Sequence, residues 1–120
     1  MLGKTYKQFK GTVSEFCAIF YLLAKGYRPI HHSYKGHFAE VDIVAIKGEV
    51  LCLVEVKYRK TKEKAHIAIH PTQRERLQRQ AQHLSDKYLL PHTRLDTILL
   101  FGHWPFIEHV ENAWDSTVNF

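Results

Sequence analysis

The chain has 120 residues, which suffices for one domain with its own hydrophobic core and excludes a multidomain enzyme. Its composition, 45% hydrophobic and 24% charged with six Gly and four Pro, is that of a globular protein and excludes a collagen-like or intrinsically disordered chain. Seventeen Lys and Arg against twelve Asp and Glu give a formal net charge of +5, which favours a polyanionic partner. Two cysteines in apolar segments, with no signal-peptide or membrane-spanning run, predict a cytoplasmic protein with reduced thiols and no membrane contact.

The first predicted element is a helix from about Thr12 to Lys25, closed by Gly26. Its apolar stripe consists of Val13, Phe16, Cys17, Phe20 and Ala24. Ile19 and Leu22 fall on the opposite side, so we expect this helix to pack on more than one face.

A β-hairpin is predicted next, after an extended segment over residues 27–34. Residues 38–46 and 50–57 are rich in β-branched and apolar side chains, and a Gly48-Glu49 turn of type II′ between them makes the numbers of cross-strand partners sum to 97. The pairs are then Ile46 with Leu51, Val44 with Leu53, Asp42 with Glu55, and Glu40 with Lys57. Both strands are apolar on both faces near the turn, which is typical of the centre of a sheet covered by helices.

A second helix is predicted to begin at Pro71 and to end before Pro91. Its inward face is formed by Gln73, Leu77, Gln80, Ala81, Leu84 and Tyr88, with Arg76 on the outside. Two strands follow, over residues 95–101 and 106–110. The order αβββαβ(β) predicts an α/β fold with a mixed central sheet flanked by helices.

The hairpin register places two carboxylates side by side on one face of the sheet. Asp42 and Glu55 would have Cβ atoms about 4.5–5.5 Å apart, where like charges repel. Such a pair raises its own pKa values or binds a cation, and two carboxylates with a backbone carbonyl such as that of Val56 suit Mg²⁺ or Mn²⁺. Lys57 lies on the same face two residues beyond Glu55. A metal site beside an ammonium group is what phosphodiester hydrolysis requires.

A purely structural interpretation of these charges stays open. Glu40 opposite Lys57 would form an ordinary cross-strand ion pair, and Asp42 and Glu55 would be solvent-facing charges at the strand ends. The functional interpretation is favoured because Asp42 and Glu55 both interrupt apolar runs, where an unpaired charge is costly.

These residues resemble the YraN family of small bacterial proteins, which has the restriction-endonuclease-like fold of PD-(D/E)xK nucleases and is distantly similar to Holliday junction resolvases. The combination of Glu40-x-Asp42 with Glu55-x-Lys57 is the most specific part of the resemblance, which covers nearly the whole chain. The other matching residues are Gly11, Glu15, Ala18, Leu22, Gly26-Tyr27, Arg59, Arg94-Leu95-Asp96 and Asn112-Ala113-Trp114.

The resemblance implies a nuclease active site in which Asp42 and Glu55 bind the metal and Lys57 is the catalytic lysine. Glu15 would match an acid that the first helix of this fold directs at the metal. Thr12-x-x-Glu15 is equally a capping box, in which Glu15 bonds back to the helix start, so two interpretations of Glu15 stay open. Gln73 stands where many members have Lys, either to hold a metal-bound water or phosphate or as a polar residue of the first helical turn.

A run of cations follows the predicted site. Residues 57–64 contain five Lys or Arg and one Glu, and Arg59, Lys60, Lys62 and Lys64 would meet a phosphate backbone that enters the site. Lys4, Lys7 and Lys10 form a possible second arm. The alternative is an ordinary solvated surface loop.

The sequence therefore predicts a Mg²⁺- or Mn²⁺-dependent endonuclease that cleaves DNA, branched or single-stranded, in recombination or repair. Its expected partner is nucleic acid; a homodimer would suit paired cuts on duplex DNA, but no residue argues strongly for one. The alternative is a nucleic-acid-binding module on the same fold without turnover.

Overall fold

The structure is a computed structural model that describes residues 2–60, 74–102 and 106–112, with the side chains from residue 13 onward. The described residues form two helices and five strands. The elements are α1 (Leu2–Ala24), β1 (Arg28–Lys35), β2 (Glu40–Lys47), β3 (Val50–Arg59), α2 (Arg74–Tyr88), β4 (His92–Phe101) and β5 (Phe106–Val110).

The strands form one mixed sheet in the order β1-β2-β3-β4-β5. β3 and β4 are parallel, since α2 crosses between them, and the other neighbouring pairs are antiparallel. The α/β class and the restriction-endonuclease-like arrangement predicted from the sequence are thereby confirmed.

The predicted hairpin register is confirmed as far as the ladder extends, for Ile46 with Leu51 and Val44 with Leu53, whereas the predicted pairs Asp42–Glu55 and Glu40–Lys57 both lie beyond its end. The β2–β3 ladder runs from Lys47 opposite Val50 to Ile43 opposite Val54, so partner numbers sum to 97. Gly48 has a φ of 60°, whereas Glu49 is not among the positive-φ residues, as a type II′ turn requires.

Each face of the sheet has its own hydrophobic cluster. α2 covers one face with Leu77, Ala81 and Leu84. α1 covers the other with Ala18 and Leu22, which pack against strand residues that include Cys52. Both cysteines are free. Strands covered on both faces explain the near-continuous apolar runs of β2 and β3.

A buried ionic cluster ties β4 to β5. Asp96 is fully buried, accepts hydrogen bonds from Arg94 at 2.8 and 2.9 Å and from the Asn112 backbone N–H at 3.0 Å, and lies 2.8 Å from His109 Nε2. Burial alone would raise the pKa of Asp96, but the hydrogen bonds from His109, Arg94 and Asn112 hold this pKa below its usual range. The Arg94-Leu95-Asp96 segment therefore has a structural role in this chain.

The predicted start of the first helix is wrong. α1 begins at Leu2, ten residues before Thr12, so Thr12 lies within the helix and cannot cap it. The capping-box interpretation of Glu15 fails for the same reason. β4 also begins earlier than predicted, at His92. The predicted start of α2 at Pro71 lies outside the described residues. Within the described part of the chain, no helix is long and apolar enough to cross a membrane.

Candidate functional site

The candidate site lies where β2 and β3 separate. Their ladder ends at Ile43 opposite Val54, while β2 continues along β1 to Glu40 and β3 continues along β4 to Arg59. Beyond the ladder, Asp42 Oδ2 accepts the backbone N–H of Val56 at 2.7 Å. A side chain thus replaces the next backbone hydrogen bond between the two strands and keeps them apart.

A cleft of about 300 Å³ opens at this separation. Asp42 and Glu55 both line it, so the two acids that the register argument paired share one cavity. The remaining lining residues come from the 38–40 segment and from the start of α2: Phe38, Ala39, Glu40, Arg76 and Leu77.

The environment of the two carboxyl groups disfavours their ionised forms. Burial raises the pKa of Glu55 to about 8, and the neighbouring Asp42 carboxylate adds to that rise. Burial likewise raises the pKa of Asp42, whereas the hydrogen bond from Val56 lowers it and Glu15 raises it. In the metal-free protein, a proton shared within this acid group relieves the repulsion.

Lys57 supplies positive charge to this group. It follows Glu55 by two residues in β3 and is partly buried, and its ammonium counteracts the rise in pKa of both Asp42 and Glu55. The predicted pairing of Glu40 with Lys57 is wrong because the β2–β3 ladder ends before it, and no ion pair within the described residues joins them.

Glu15 reaches the same region from α1. It lies 2.6 Å from His32 Nε2 and accepts a hydrogen bond from Ser33 Oγ at 3.3 Å, and it also contacts the Asp42 carboxyl group. Phe16 stacks on the His32 ring with centroids 5.7 Å apart. The first helix thus brings a third acid beside the pair, held in place by β1.

The backbone and two side chains define what a metal would contact here. In a β-strand the N–H and C=O of one residue point to the same side, so the Val56 carbonyl shares the side on which its N–H meets Asp42. Asp42, Glu55 and this carbonyl are hard oxygen donors. Within the described residues no three His, Cys, Asp or Glu side chains form a ready-made metal cage.

Sequence reasoning gave no site role to three residues at or beside the cleft. Arg76 is exposed, as predicted, and lines the cavity together with Glu40, which was interpreted as structural. Gln80 was placed on the inward face of α2, but its task was not foreseen: its Oε1 accepts the backbone N–H groups of Phe38 at 2.9 Å and Ala39 at 3.3 Å. Gln80 is fully buried and fixes the segment that leads into β2. The only sequence signal for this role was that Gln80 is a polar residue in an otherwise apolar stripe of α2.

The predicted phosphate contacts are only partly described. Arg59 and Lys60 are exposed at the end of β3, next to the site. Lys62, Lys64 and Gln73 lie outside the described residues, as do the side chains of Lys4, Lys7 and Lys10.

Comparison with known proteins gives matches that cover most of the described fold. Residues 14–100 match the family described as "Uncharacterised protein family UPF0102". A UPF0102 protein of Caulobacter vibrioides is 41% identical over 109 residues, which cover 87% of this chain and 85% of the relative. UPF0102 proteins of Maricaulis maris and Parvibaculum lavamentivorans are 38% and 36% identical over 111 and 110 residues, covering 88% and 87% of this chain and 84% and 80% of the relatives. The matched span includes Glu15, Asp42, Glu55 and Lys57, and the chain belongs to the UPF0102 (YraN) family.

Proposed function

We propose that this protein is a divalent-metal-dependent endonuclease that hydrolyses phosphodiester bonds in DNA. Branched or single-stranded DNA is the proposed substrate, and recombination or repair is the proposed setting. Within the PD-(D/E)xK pattern, Asp42 and Glu55 would be the two acids and Lys57 the lysine.

One observation carries this proposal: Asp42 and Glu55 lie together in a partly buried cleft with their pKa values raised. Two carboxylates in contact destabilise the metal-free fold when both are ionised, and burial makes their repulsion more costly. A sheet gains nothing from this arrangement unless a cation, a proton or a substrate occupies the cleft. Strongly perturbed acids in a cleft are typical of functional sites.

The donor set fits Mg²⁺ or Mn²⁺. Asp42, Glu55 and the Val56 carbonyl would hold the ion, which is consistent with the absence of a third side-chain ligand within the described residues, since Mg²⁺ keeps several waters and uses one or two carboxylates. When bound, the metal would neutralise charge on the phosphate and lower the pKa of a coordinated water.

The chain's own residues would divide the remaining work. The Lys57 ammonium would orient the attacking water and stabilise negative charge that develops on the phosphate. Glu15, held by His32 and Ser33, would fix the Asp42 carboxyl group and accept a hydrogen bond from a bound water. Arg76 lines the cleft and offers a cation to the phosphate that flanks the cleaved bond.

A nucleic-acid-binding module without turnover is the second candidate. The exposed Arg59 and Lys60 beside the cleft favour it, since they would bind a phosphate backbone whether or not cleavage follows. The buried acid pair favours the enzyme, because two carboxylates repel a polyanion unless a metal intervenes.

A cleavage screen tests the proposal. The purified protein is incubated with single-stranded, duplex, flap and four-way DNA, and with RNA, in Mg²⁺, in Mn²⁺ and in EDTA. We expect metal-dependent cleavage of at least one DNA by the wild type and by Asp86→Asn, which removes an exposed acid on α2, and none by Asp42→Asn.

Tight DNA binding without cleavage under any of these conditions would contradict the enzyme and support the binding module. Equal cleavage by Asp42→Asn and the wild type would trace the activity to a contaminating nuclease or to another site.

A further inference from the structure

Helix α1 has a second apolar face that the sheet does not cover. The face of α1 that packs on the sheet is buried and consists of Ser14, Ala18 and Leu22. On the other side, Val13, Phe16, Phe20 and Leu23 remain 43%, 49%, 69% and 50% exposed. Two phenylalanines this exposed on one helix are unusual for a monomer, because each leaves about 100 Å² or more of apolar surface in water.

The exposed residues follow a heptad spacing. Steps of three, four and three residues separate Val13, Phe16, Phe20 and Leu23, the a and d positions of a coiled coil. The sequence continues the same spacing towards the start of α1. The complete series, here called the α1 seam, is Leu2, Tyr6, Phe9, Val13, Phe16, Phe20 and Leu23.

Among the described side chains of the seam, Val13, Phe20 and Leu23 stay 43–69% exposed, and half-exposed Phe16 borders β1 through His32. The 23 residues of α1 make a rod of about 34 Å and hold three heptads. Ala18 occupies the heptad position diametrically opposite the seam, and Ala18 is fully buried against the sheet. A helix that only closed a monomeric core would be polar at the positions that form this seam.

We propose that the α1 seam is the interface with a second copy of this chain, formed as a helix-to-helix coiled coil. A heptad seam requires a partner helix with the same repeat, and a second copy supplies one by symmetry. Dimerisation through this seam does not depend on nuclease activity.

The charge distribution restricts where two copies can meet. Each copy carries a formal charge of +5, so two copies repel over most of their surfaces and can associate only where charges are few. The positions that flank the seam carry a single charge, that of Lys10: they are Gly3, Thr5, Lys10, Thr12, Cys17, Ile19 and Ala24. The four described seam side chains, at about 100 Å² each, supply roughly half of the 800 Å² per partner of a stable interface, and the sequence continues the seam at Leu2, Tyr6 and Phe9.

Sedimentation across a concentration series tests the proposal. We expect the wild type to be a dimer from about 1 to about 100 µM, and Phe20→Glu to raise the dissociation constant about 100-fold or more, since two central aromatic residues are lost per dimer. Phe106→Glu is the matched control, because Phe106 is a phenylalanine of similar exposure (64%) on β5, and it should remain dimeric. Circular dichroism checks that each variant is folded.

Every other outcome overturns the proposal. A wild type that is monomeric at every concentration shows that the seam is covered in another way or not at all. A monomer that sediments with vesicles of phosphatidylglycerol and phosphatidylcholine, and loses this binding in Phe20→Glu, shows that the seam docks on lipid instead. If Phe20→Glu does not fold, Leu23→Glu replaces it with the same expectation, and a dimeric, folded Leu23→Glu counts against the seam.

Discussion

At the scale of single residues, the acid pair explains why a charged site in the middle of a sheet costs stability. Burial and mutual repulsion raise the pKa values of Asp42 and Glu55, so the metal-free fold is more stable when the pair carries a proton. A raised carboxyl pKa stabilises the fold below the unfolded value, and that contribution is lost as the pH rises through the folded value of about 8 for Glu55. Under the proposed function, the acids that would bind the metal therefore lower the stability of the protein when the metal is absent.

Glu55→Gln should consequently stabilise the metal-free protein in a pH-dependent way. Because Gln carries no charge at any pH, we expect a difference of at most about 1 kcal/mol from the wild type at pH 5 and a gain of about 4 kcal/mol in the free energy of unfolding at pH 9. Urea unfolding in EDTA at several pH values measures this difference. Glu49→Gln, at an exposed position in the β2–β3 turn, should show no such trend. A gain that is the same at pH 5 and pH 9 would contradict the buried acid pair.

At the scale of elements, local patterns were sufficient for the hairpin. Two β-branched runs and a Gly-led turn determine the β2–β3 register, and this register alone predicts that Asp42 and Glu55 are neighbours. The end of the ladder at Ile43 could not be predicted, because it depends on Asp42 accepting the Val56 N–H. The cleft exists because a side chain breaks the backbone pattern.

For the helices, local sequence patterns were less informative than for the hairpin. Gly3 and Gly11 lower the helix propensity of residues 2–12, and the helix was predicted to begin only at Thr12. The heptad spacing of apolar residues was the stronger signal for the true start. For α2, Gln80 was correctly placed inward, but its bonds to Phe38 and Ala39 join residues about 40 positions apart in sequence and have no local signature.

At the scale of the whole molecule, the basic surface beside an acidic cleft suggests how a polyanion would be oriented. Arg59 ends the strand that carries Glu55 and Lys57, and Lys60 follows it directly, so a phosphate backbone bound by these cations would pass the cleft. Binding and cleavage should then depend on different residues of the same segment.

The salt dependence of DNA binding tests this arrangement. If Arg59, Lys60, Lys62 and Lys64 neutralise four phosphates, log K should fall with log salt with a slope of about −3 to −4. Arg59→Ala with Lys60→Ala should make the slope shallower by about 1.5 to 2, whereas Arg79→Ala with Lys87→Ala, which removes two exposed cations from α2, should leave it unchanged. If the α2 pair changes the slope and the β3 pair does not, the DNA lies on another face.

The cleavage rate of Lys57→Ala tests the proposed catalytic role of the cleft most directly. The ammonium would act on charge that develops only as the phosphodiester bond breaks, so its loss should reduce turnover and spare binding. With a DNA that the wild type cleaves, single-turnover cleavage by folded Lys57→Ala should fall about 100-fold or more, while its affinity for DNA and for Mn²⁺ stays within a few-fold of the wild type. Cleavage by Lys57→Ala at the wild-type rate would contradict a catalytic role for Lys57 and for the cleft built around Asp42 and Glu55.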